Sequence, residues 1–320
     1  LIQLGRLDEA EQQSLEAIAA LRLTGERLYE GYALSRLAGI YRRNGMLAEA
    51  EDAAQRGLAV RVELGDKRGE AASNLTLSDI ALQRGDLTRA LQHAQLAMDI
   101  GAEIEDQDVT MSALNTKAKA NLALGKPREA LANYVAEEAI ASNVGSRQSV
   151  FAARYGIAKC WIQIGEYETA AAIADELLAD SRENARRREE TAGHSLHAEI
   201  FLEQGQWQQA ISQLEEFLVI SDEIGDHGLA ASAHAKLAKA RLETGQIEQA
   251  ETHINTFLAQ RPADTYVLKL QAQLAAAHAQ SADAVEFMTA ARISAGEAWK
   301  AEDEQTLESY RQATDATAIP

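Results

Sequence analysis

The sequence predicts an all-α protein built from repeated pairs of helices. Three observations point to this class: alanine and leucine recur throughout, proline is scarce, and one spacing repeats along the chain. Of the 320 residues, 46% are hydrophobic, 5% are aromatic and three are proline. Closely packed helices suit this mixture, whereas β-sandwiches and barrels use more β-branched and aromatic side chains.

Glycine recurs every 40 residues, and alanine follows each of these glycines by five positions. The glycines are Gly5, Gly45, Gly85, Gly125, Gly165, Gly205 and Gly245, and the alanines are Ala10, Ala50, Ala90, Ala130, Ala170, Ala210 and Ala250. A second series marks the other end of each repeat, at Gly25, Gly65, Glu105, Gly145, Ala185 and Gly225. Stretches of about 17 residues with helical apolar spacing lie between the two series. One repeat is therefore predicted to be a helix, a glycine turn, a helix and a short loop.

The glycine and the alanine have different physical roles. Glycine tolerates the positive φ of a tight turn between helices. The small side chain five residues later lets the two helices approach closely, and a larger one would push them apart. Apolar or small residues at fixed distances before each glycine are predicted to form the seams between helices.

This pattern resembles the tetratricopeptide repeat over nearly the whole chain. The usual unit has about 34 residues, whereas most units here have 40, as in some adaptor proteins and bacterial regulatory proteins. The last unit returns to the shorter length, with Ala279 in the glycine place and Ala284 in the alanine place. The resemblance implies an α-solenoid, a right-handed superhelix of about seven to eight helix-turn-helix units over residues 1–300. Residues 301–320 are predicted to form a capping helix and tail.

The beginning of the chain is expected to be a fragment of a longer array. Leu1 to Leu4 reads as the end of a helix, and residues 7–23 as its partner. Such a pair would leave an uncapped apolar face, which repeat proteins cover. We therefore expect upstream sequence, a partner or oligomerisation to cover this end.

No motif for catalysis or cofactor binding is present: the sequence has no glycine-rich phosphate loop, HExxH, CxxC or GxSxG pattern. It therefore predicts no enzymatic activity, no catalytic residues and no cofactor. The lone cysteine, Cys160, lies in an apolar column and is predicted to be an inert core thiol. His194, His197 and His234 raise the question of a metal site. Equivalent positions on neighbouring helices point in parallel rather than converge, so we predict packed histidines and no metal.

The chain carries 31 basic and 49 acidic residues, a formal charge of −18. Such a field repels phosphate, so direct nucleic-acid binding and membrane binding are not expected. No signal peptide and no apolar run of about 18 residues is visible, which favours a cytoplasmic protein. The arginine run at 186–188 is interpreted as a solvated helix start, with a docking patch for an acidic partner as the alternative.

The resemblance also implies where a ligand would bind, because the first helix of each tetratricopeptide unit lines the concave groove. Polar, charged or small residues occupy the columns 13, six and two positions before each repeat glycine, and two more hydrogen-bonding residues lie one turn away. The predicted groove residues are Tyr32, Gly39, Arg43, Asp79, Gln83, Asn115, Lys119, Tyr155, Lys159, Gln163, Glu199 and Lys239. Lys119 and Lys159 are expected to hold an acidic segment, and the alternative is that this column merely faces water.

The sequence thus favours a non-enzymatic scaffold that binds a protein or peptide in its groove. The alternative is the sensor or regulatory C-terminal region of a larger bacterial signalling protein, such as a transcription regulator or kinase, that binds a small effector. An enzyme with a cleft on the solenoid is a third and weaker reading.

Overall fold

The structure is a computed structural model that describes residues 2–259, 265–296 and 299–317, with only the backbone described at 2–8 and 316–317. These residues form helices joined by short turns, and no strand occurs among them. The predicted all-α solenoid class is confirmed. The helices are α1 (Ile2–Thr24), α2 (Arg27–Arg43), α3 (Leu47–Leu64), α4 (Lys67–Gln83), α5 (Leu87–Glu103), α6 (Gln107–Ala123), α7 (Pro127–Asn143), α8 (Arg147–Ile164), α9 (Tyr167–Glu183), α10 (Arg187–Glu203), α11 (Trp207–Glu223), α12 (His227–Glu243), α13 (Ile247–Leu258), α14 (Thr265–Ala277), α15 (Ser281–Ala295) and α16 (Ala301–Thr317).

The chain divides into two compact units, residues 1–153 and 154–320, and the division falls inside α8. Within a unit, even-numbered helices pack on the odd-numbered helices that follow them, as α2 does on α3 and α12 on α13. Even-numbered helices also touch one another, α2 with α4, α4 with α6, and α12 with α14. The first helices of successive repeats therefore lie side by side, and we call their shared surface within a unit the first-helix face. None of the helices in the described parts of the chain has the length and apolarity needed to cross a bilayer.

The repeat turns have the backbone geometry that glycine favours. Gly85 adopts a φ of +74°. Its N–H donates to the carbonyl of Leu82 at 3.2 Å, and the N–H of Asp86 donates to the carbonyl of Ala81 at 2.9 Å. These two bonds satisfy helix-end carbonyls in the Schellman arrangement. The same positive φ occurs at the non-glycine turn residues Glu105, Ala185 and Ala279.

Aspartate fixes the start of several helices. The side chain of Asp106 accepts a hydrogen bond from the N–H of Val109 at 3.1 Å, and Asp226 does the same for Leu229. Such capping satisfies one of the unpaired N–H groups at a helix N-terminus. Asp66 and Asp86 cap α4 and α5 in the same way.

The prediction of a turn at Gly5 is wrong. Helix α1 runs from Ile2 to Thr24 without a break, so its backbone passes through Gly5 as helix. Leu1, the first residue of the expected preceding helix, lies outside the described residues. Glycine tolerates a helical φ as well as a positive one, so its presence alone does not end a helix.

The C-terminal helix α16 packs on α15 in the second unit. Leu307 is fully buried in a cluster with Ala272 and Met288, and Tyr310 packs partly buried beside them. The side of α16 that carries Leu307 and Tyr310 thus faces the preceding helices. A domain boundary at residue 300 stays a prediction, and the tail at 318–320 lies outside the described residues.

The alanine column is fully buried at every described repeat position after the first. Its members are Ala50, Ala90, Ala130, Ala170, Ala210, Ala250 and Ala284. In one repeat the hydroxyl of Ser78 on α4 donates to the carbonyl of Ala90 on α5 at 2.6 Å. A side chain of one helix thus reaches the backbone of its partner, which requires a close crossing.

Two buried glutamates join successive helices through arginines. Glu30 is completely buried and accepts hydrogen bonds from Arg22 at 2.9 Å and Arg27 at 2.6 Å. Burial raises the pKa of this carboxyl, but the two arginines outweigh it and hold the pKa below its ordinary value. Four repeats later, Glu190 is held in the same way by Arg182 and Arg187.

Two histidines meet in the seam between α12 and α13. The Nδ1 atoms of His234 and His253 are 2.8 Å apart, a hydrogen bond in which one Nδ1 donates and the Nδ1 of the other, neutral ring accepts. One repeat earlier, His194 pairs with Gln213 at 2.9 Å across the same 19-residue separation. The histidine pair is therefore one version of a polar contact that recurs between the two helices of a repeat.

Protonation of this pair is unfavourable. Burial is the main cause that lowers the pKa of His253, to about 4, and the neighbouring His234 and Arg241 lower it further. Burial also lowers the pKa of His234, and Asp222 opposes this only in part. Both groups therefore bind protons less readily in the folded chain than in the unfolded one.

The close helix crossing predicts the effect of enlarging an alanine. Replacing Ala130 on α7 by leucine should lower the free energy of unfolding by about 1–3 kcal/mol, because a larger side chain overpacks the crossing. Ala132 is exposed on the same helix, so Ala132→Leu is the matched control. Urea unfolding followed by circular dichroism measures both variants. Equal stabilities of the two would contradict the close crossing.

The histidine pair predicts a pH dependence. The contribution of this pair to the free energy of unfolding should be at its maximum above pH 6.5, the ordinary pKa of histidine. It should fall as the pH drops toward about 4, because only the unfolded chain takes up these protons. Solvent reaches part of the pair and screens the charge, so we expect a loss of about 1–2 kcal/mol.

The variant His253→Gln recreates the His194–Gln213 contact of the preceding repeat and should remove most of this loss. Urea unfolding of both proteins at pH 7.5 and pH 4.5 gives the comparison. An identical loss in the variant would show that other groups cause the acid sensitivity.

Candidate functional site

A cleft of about 380 Å³ opens on the first-helix face of the second unit. Side chains from α8, α10, α12 and α14 line it, together with Phe257 of α13. Its charged members are Lys159, Glu199, Glu203, Lys236 and Lys239, and its larger apolar members are Ile162, Leu202, Phe257 and Tyr266. Three lysines face two glutamates, so the cleft carries a small positive excess in a strongly acidic chain.

Glu199 is the centre of the charge network. Its Oε1 accepts a hydrogen bond from Lys236 at 2.6 Å and lies 3.8 Å from the ammonium of Lys159. Lys236 also donates to the hydroxyl of Ser195 at 2.6 Å. Burial raises the pKa of Glu199, but the two lysines outweigh this effect and bring the pKa to about 2. The carboxylate is therefore ionised at neutral pH and neutralises part of the positive charge of both lysines.

Lys239 differs from the other two lysines of the cleft. It lies one turn beyond Lys236 on α12 and is only partly exposed. Within the described part of the chain it makes no ion pair and no hydrogen bond through its side chain. Phe257 and Tyr266 line the same cleft. An unpaired ammonium next to apolar and aromatic surface can hold a ligand with an anionic group beside an apolar one.

The structure brings together three of the groove residues predicted from the sequence, Lys159, Glu199 and Lys239. Tyr155 lies nearby, with its ring centroid 5.9 Å from the ammonium of Lys159. Gln163 is exposed on the same helix. This clustering follows from the repeat, since residues at equal offsets from the turn glycine share a face.

Sequence reasoning missed Lys236 and Tyr266. Lys236 lies nine positions before its repeat glycine, and this column shows no common chemistry: in the other repeats it holds Arg36, Thr76, Thr116, Gly156 and Leu196. Tyr266 lies 13 positions before Ala279, which is the column of Tyr32. The change of repeat length in the last unit hid this correspondence.

In the first unit, Asn115 is already engaged. Its amide donates to both carboxylate oxygens of Glu137 on α7, at 3.1 and 3.0 Å. Burial raises the pKa of Glu137, and Asn115 and Lys119 offset this only in part. Asn115 therefore stabilises the α6–α7 seam, whereas Lys119 is exposed.

The other predicted residues of the first unit lie on α2 and α4. The ring of Tyr32 lies under the guanidinium of Arg61, 5.2 Å from its centroid. Asp79 lies 3.8 Å from Arg42. Gln83 is exposed, and Gly39 and Arg43 border a second cleft on α2. Because Lys119 and Lys159 belong to different units, a joint site formed by these two lysines stays a prediction.

The surroundings of Cys160, His194 and His197 indicate structural roles for these residues. Cys160 is fully buried, and burial raises the pKa of its thiol to about 12, which keeps it protonated at neutral pH. His194 contacts Arg182 as well as Gln213, whereas His197 contacts Asp175 at 3.0 Å. Over the described ranges, no three histidine, cysteine or acidic side chains come together as metal ligands. The absence of a metal site remains a prediction.

Several solved structures share the fold. A Rap conjugation gene regulator of plasmid pLS20 in complex with the Phr peptide is 12% identical, with a TM-score of 0.63 over 91% of this chain and 78% of that chain. A signal-transduction ATPase with a tetratricopeptide repeat sensor from Pyrococcus horikoshii is 18% identical, with a TM-score of 0.56 over 88% and 44% of the two chains. A tetratricopeptide repeat protein from Parabacteroides merdae is 15% identical, with a TM-score of 0.53 over 89% and 98%.

Three tetratricopeptide repeat family models match the sequence, at residues 29–103, 115–185 and 201–274. None of the curated proteins matches the sequence. The three matched ranges together span more than half of the chain, and they follow the helix pairs that the structure shows. The chain therefore belongs to the tetratricopeptide repeat superfamily.

Proposed function

We propose that this chain is a non-enzymatic binding module whose second-unit cleft holds a peptide segment of a partner protein, with a carboxylate of the segment at Lys239. The observation that carries the proposal is the ammonium of Lys239, which has no ion pair among the described residues and lies in a cleft whose other lysines share Glu199. The resemblance in fold to a Rap regulator solved with a peptide supports the same class of ligand.

The charges of the cleft favour one carboxylate over several. Lys159 and Lys236 already contact Glu199, so each has less attraction left for a ligand. Lys239 has no carboxylate partner among the described residues, whereas the exposed Glu203 at the same cleft repels a second anionic group. A ligand with one local negative charge therefore fits better than a diffusely acidic one.

The apolar part of the cleft adds a second requirement. Phe257, Tyr266 and Leu202 offer surface to an apolar side chain of the ligand. Burial of such a side chain supplies affinity that a partly solvated ion pair does not. The proposed ligand motif is therefore an aspartate, a glutamate or a terminal carboxylate close to a leucine or an aromatic residue.

Lys119 is proposed as a contact for an acidic residue in the first unit. It is exposed, and its neighbour Asn115 is hydrogen-bonded to Glu137. The ammonium of Lys119 would therefore bind the ligand without help from the Asn115 amide. This contact is weaker than the Lys239 contact because Lys119 is exposed, and an exposed ion pair contributes roughly 1 kcal/mol or less.

A peptide library displayed on phage tests the proposal. Peptides selected on the full chain should be enriched in an acidic residue close to an apolar one. Their affinity, measured by fluorescence anisotropy, should fall at least tenfold in Lys239→Glu, since the reversal replaces an attraction by a repulsion. The affinity should also fall as salt rises.

Lys126→Glu is the matched control, because it makes the same charge change at an exposed lysine of the first unit. Its affinity for the selected peptides should stay near that of the parent chain. Selected peptides that bind Lys239→Glu as tightly as the parent would place the binding surface elsewhere.

The second candidate is a sensor region that binds a small effector. It is favoured by the fold match to the Pyrococcus horikoshii ATPase, in which the matched part is less than half of a chain described as having a tetratricopeptide repeat sensor. Thermal-shift measurements with small mono- and dicarboxylates distinguish the two candidates. A small carboxylate that stabilises the parent chain but not Lys239→Glu, with no peptide selected, would favour the sensor.

A further inference from the structure

We infer that Glu199 determines the specificity of the second-unit cleft by serving as an internal carboxylate ligand for two of its lysines. It fills the position that a second ligand anion would take. The cleft therefore accepts a segment with one carboxylate and discriminates against a segment with a phosphate or a neighbouring second carboxylate. This role rests on the function proposed for the cleft, and the experiments distinguish a failure of one from a failure of the other.

Glu199 lies between the two lysines that it contacts. It belongs to α10, whereas Lys159 belongs to α8 and Lys236 to α12, so its carboxylate joins the first helices of three successive repeats. The same oxygen, Oε1, accepts a hydrogen bond from Lys236 at 2.6 Å and lies 3.8 Å from the ammonium of Lys159. A ligand carboxylate placed between two lysines would make contacts of the same kind.

These contacts differ from the polar pairs in the seams. In a seam pair such as Asn115 with Glu137, the two residues belong to the two helices of one repeat, and Glu137 is buried between them. Glu199 instead contacts residues of neighbouring first helices, and it lines the cleft together with both of its lysines. Its partners therefore lie on the surface that a ligand would contact.

Partial burial makes Glu199 an effective competitor for a ligand anion. Its side chain is 19% exposed and that of Lys236 is 16% exposed, so water screens their attraction only in part. The two lysines outweigh the effect of burial and bring the pKa of Glu199 to about 2, so the carboxylate keeps its charge at neutral pH. A second ligand anion would have to displace a charged group to reach Lys236.

The charge that the cleft offers depends on this residue. Three lysines and two glutamates line it, an excess of one positive charge that a single carboxylate balances. Without the charge of Glu199 the excess would be two, which matches the charge of about −1.5 to −2 on a phosphate monoester at neutral pH. The other acid, Glu203, is exposed and makes no ion pair among the described side chains, so salt screens its effect on a ligand more strongly.

The first measurement uses the full parent chain and two peptides. One is a peptide selected on the chain from the phage library, with one acidic residue close to an apolar one, and its twin carries phosphoserine in place of the acidic residue. By fluorescence anisotropy, the twin should bind no more tightly than the selected peptide, although three lysines line the cleft. Tighter binding of the phosphoserine twin would overturn the role of Glu199 and leave the proposed function standing. Failure to select any acidic peptide would overturn both.

The variant Glu199→Gln removes the charge and keeps an oxygen that can accept a hydrogen bond from Lys236. The affinity for the phosphoserine twin relative to the selected peptide should rise at least tenfold, because two ammonium groups become available to the second charge of the phosphate. Circular dichroism checks that the variant is folded. An unchanged ratio of affinities in the folded variant would show that Glu199 only links helices and would overturn the inference.

Two further variants separate the internal carboxylate from the net charge of the cleft. Glu203→Gln removes the same charge from the same cleft, and it should raise the ratio by less than about threefold because Glu203 is exposed. Glu199→Asp keeps a carboxylate beside the lysines and should keep the ratio of the parent chain. A tenfold rise in either variant would contradict the role given to the Glu199 charge.

Discussion

The close crossing of two helices at a buried alanine is the constraint on which the rest of each repeat depends. Alanine has no side chain beyond Cβ, so the partner helix can come near enough for the hydroxyl of Ser78 to reach the carbonyl of Ala90. The turn glycine fixes where the chain reverses before that crossing. Because both recur at one spacing, residues at equal offsets from the glycine share a face in successive repeats. This is why Lys159, Glu199 and Lys239, each six residues before its glycine, meet in one cleft.

The seams between helices use polar pairs whose partner lies in another helix. Glu137 meets Asn115 across the α6–α7 seam, and His253 meets His234 across the α12–α13 seam. Such buried polar groups stabilise only when they are satisfied, since a lone one is costly. A polar residue in a groove column can therefore be either a ligand contact or a seam partner. The residue that faces it from the next helix determines which of these two roles it has.

The fold was predictable from the sequence because periodicity is a property of the whole chain, and a few exceptions, such as Ala185 in a glycine column, do not disturb it. The prediction of a turn at Gly5 failed because glycine permits a helical backbone as well as a turn, so its place in the column did not by itself end α1. The site was predictable only in part. A column of mixed composition hid Lys236, nine positions before its glycine. The engagement of Asn115 depends on Glu137, 22 residues away, and no column of equivalent positions contains that pair.

Charge pairing decides which basic residues remain available to a ligand. With 49 acidic and 31 basic residues, a basic side chain has more candidate partners than an acidic one, and most described arginines are indeed in ion pairs. An exposed pair contributes little to stability, but it lowers the attraction of its arginine or lysine for a third charge. Lys239 has no such partner within the described residues. In an acidic repeat protein, the absence of a partner is thus more informative about anion binding than the mere presence of a lysine or arginine in a groove column.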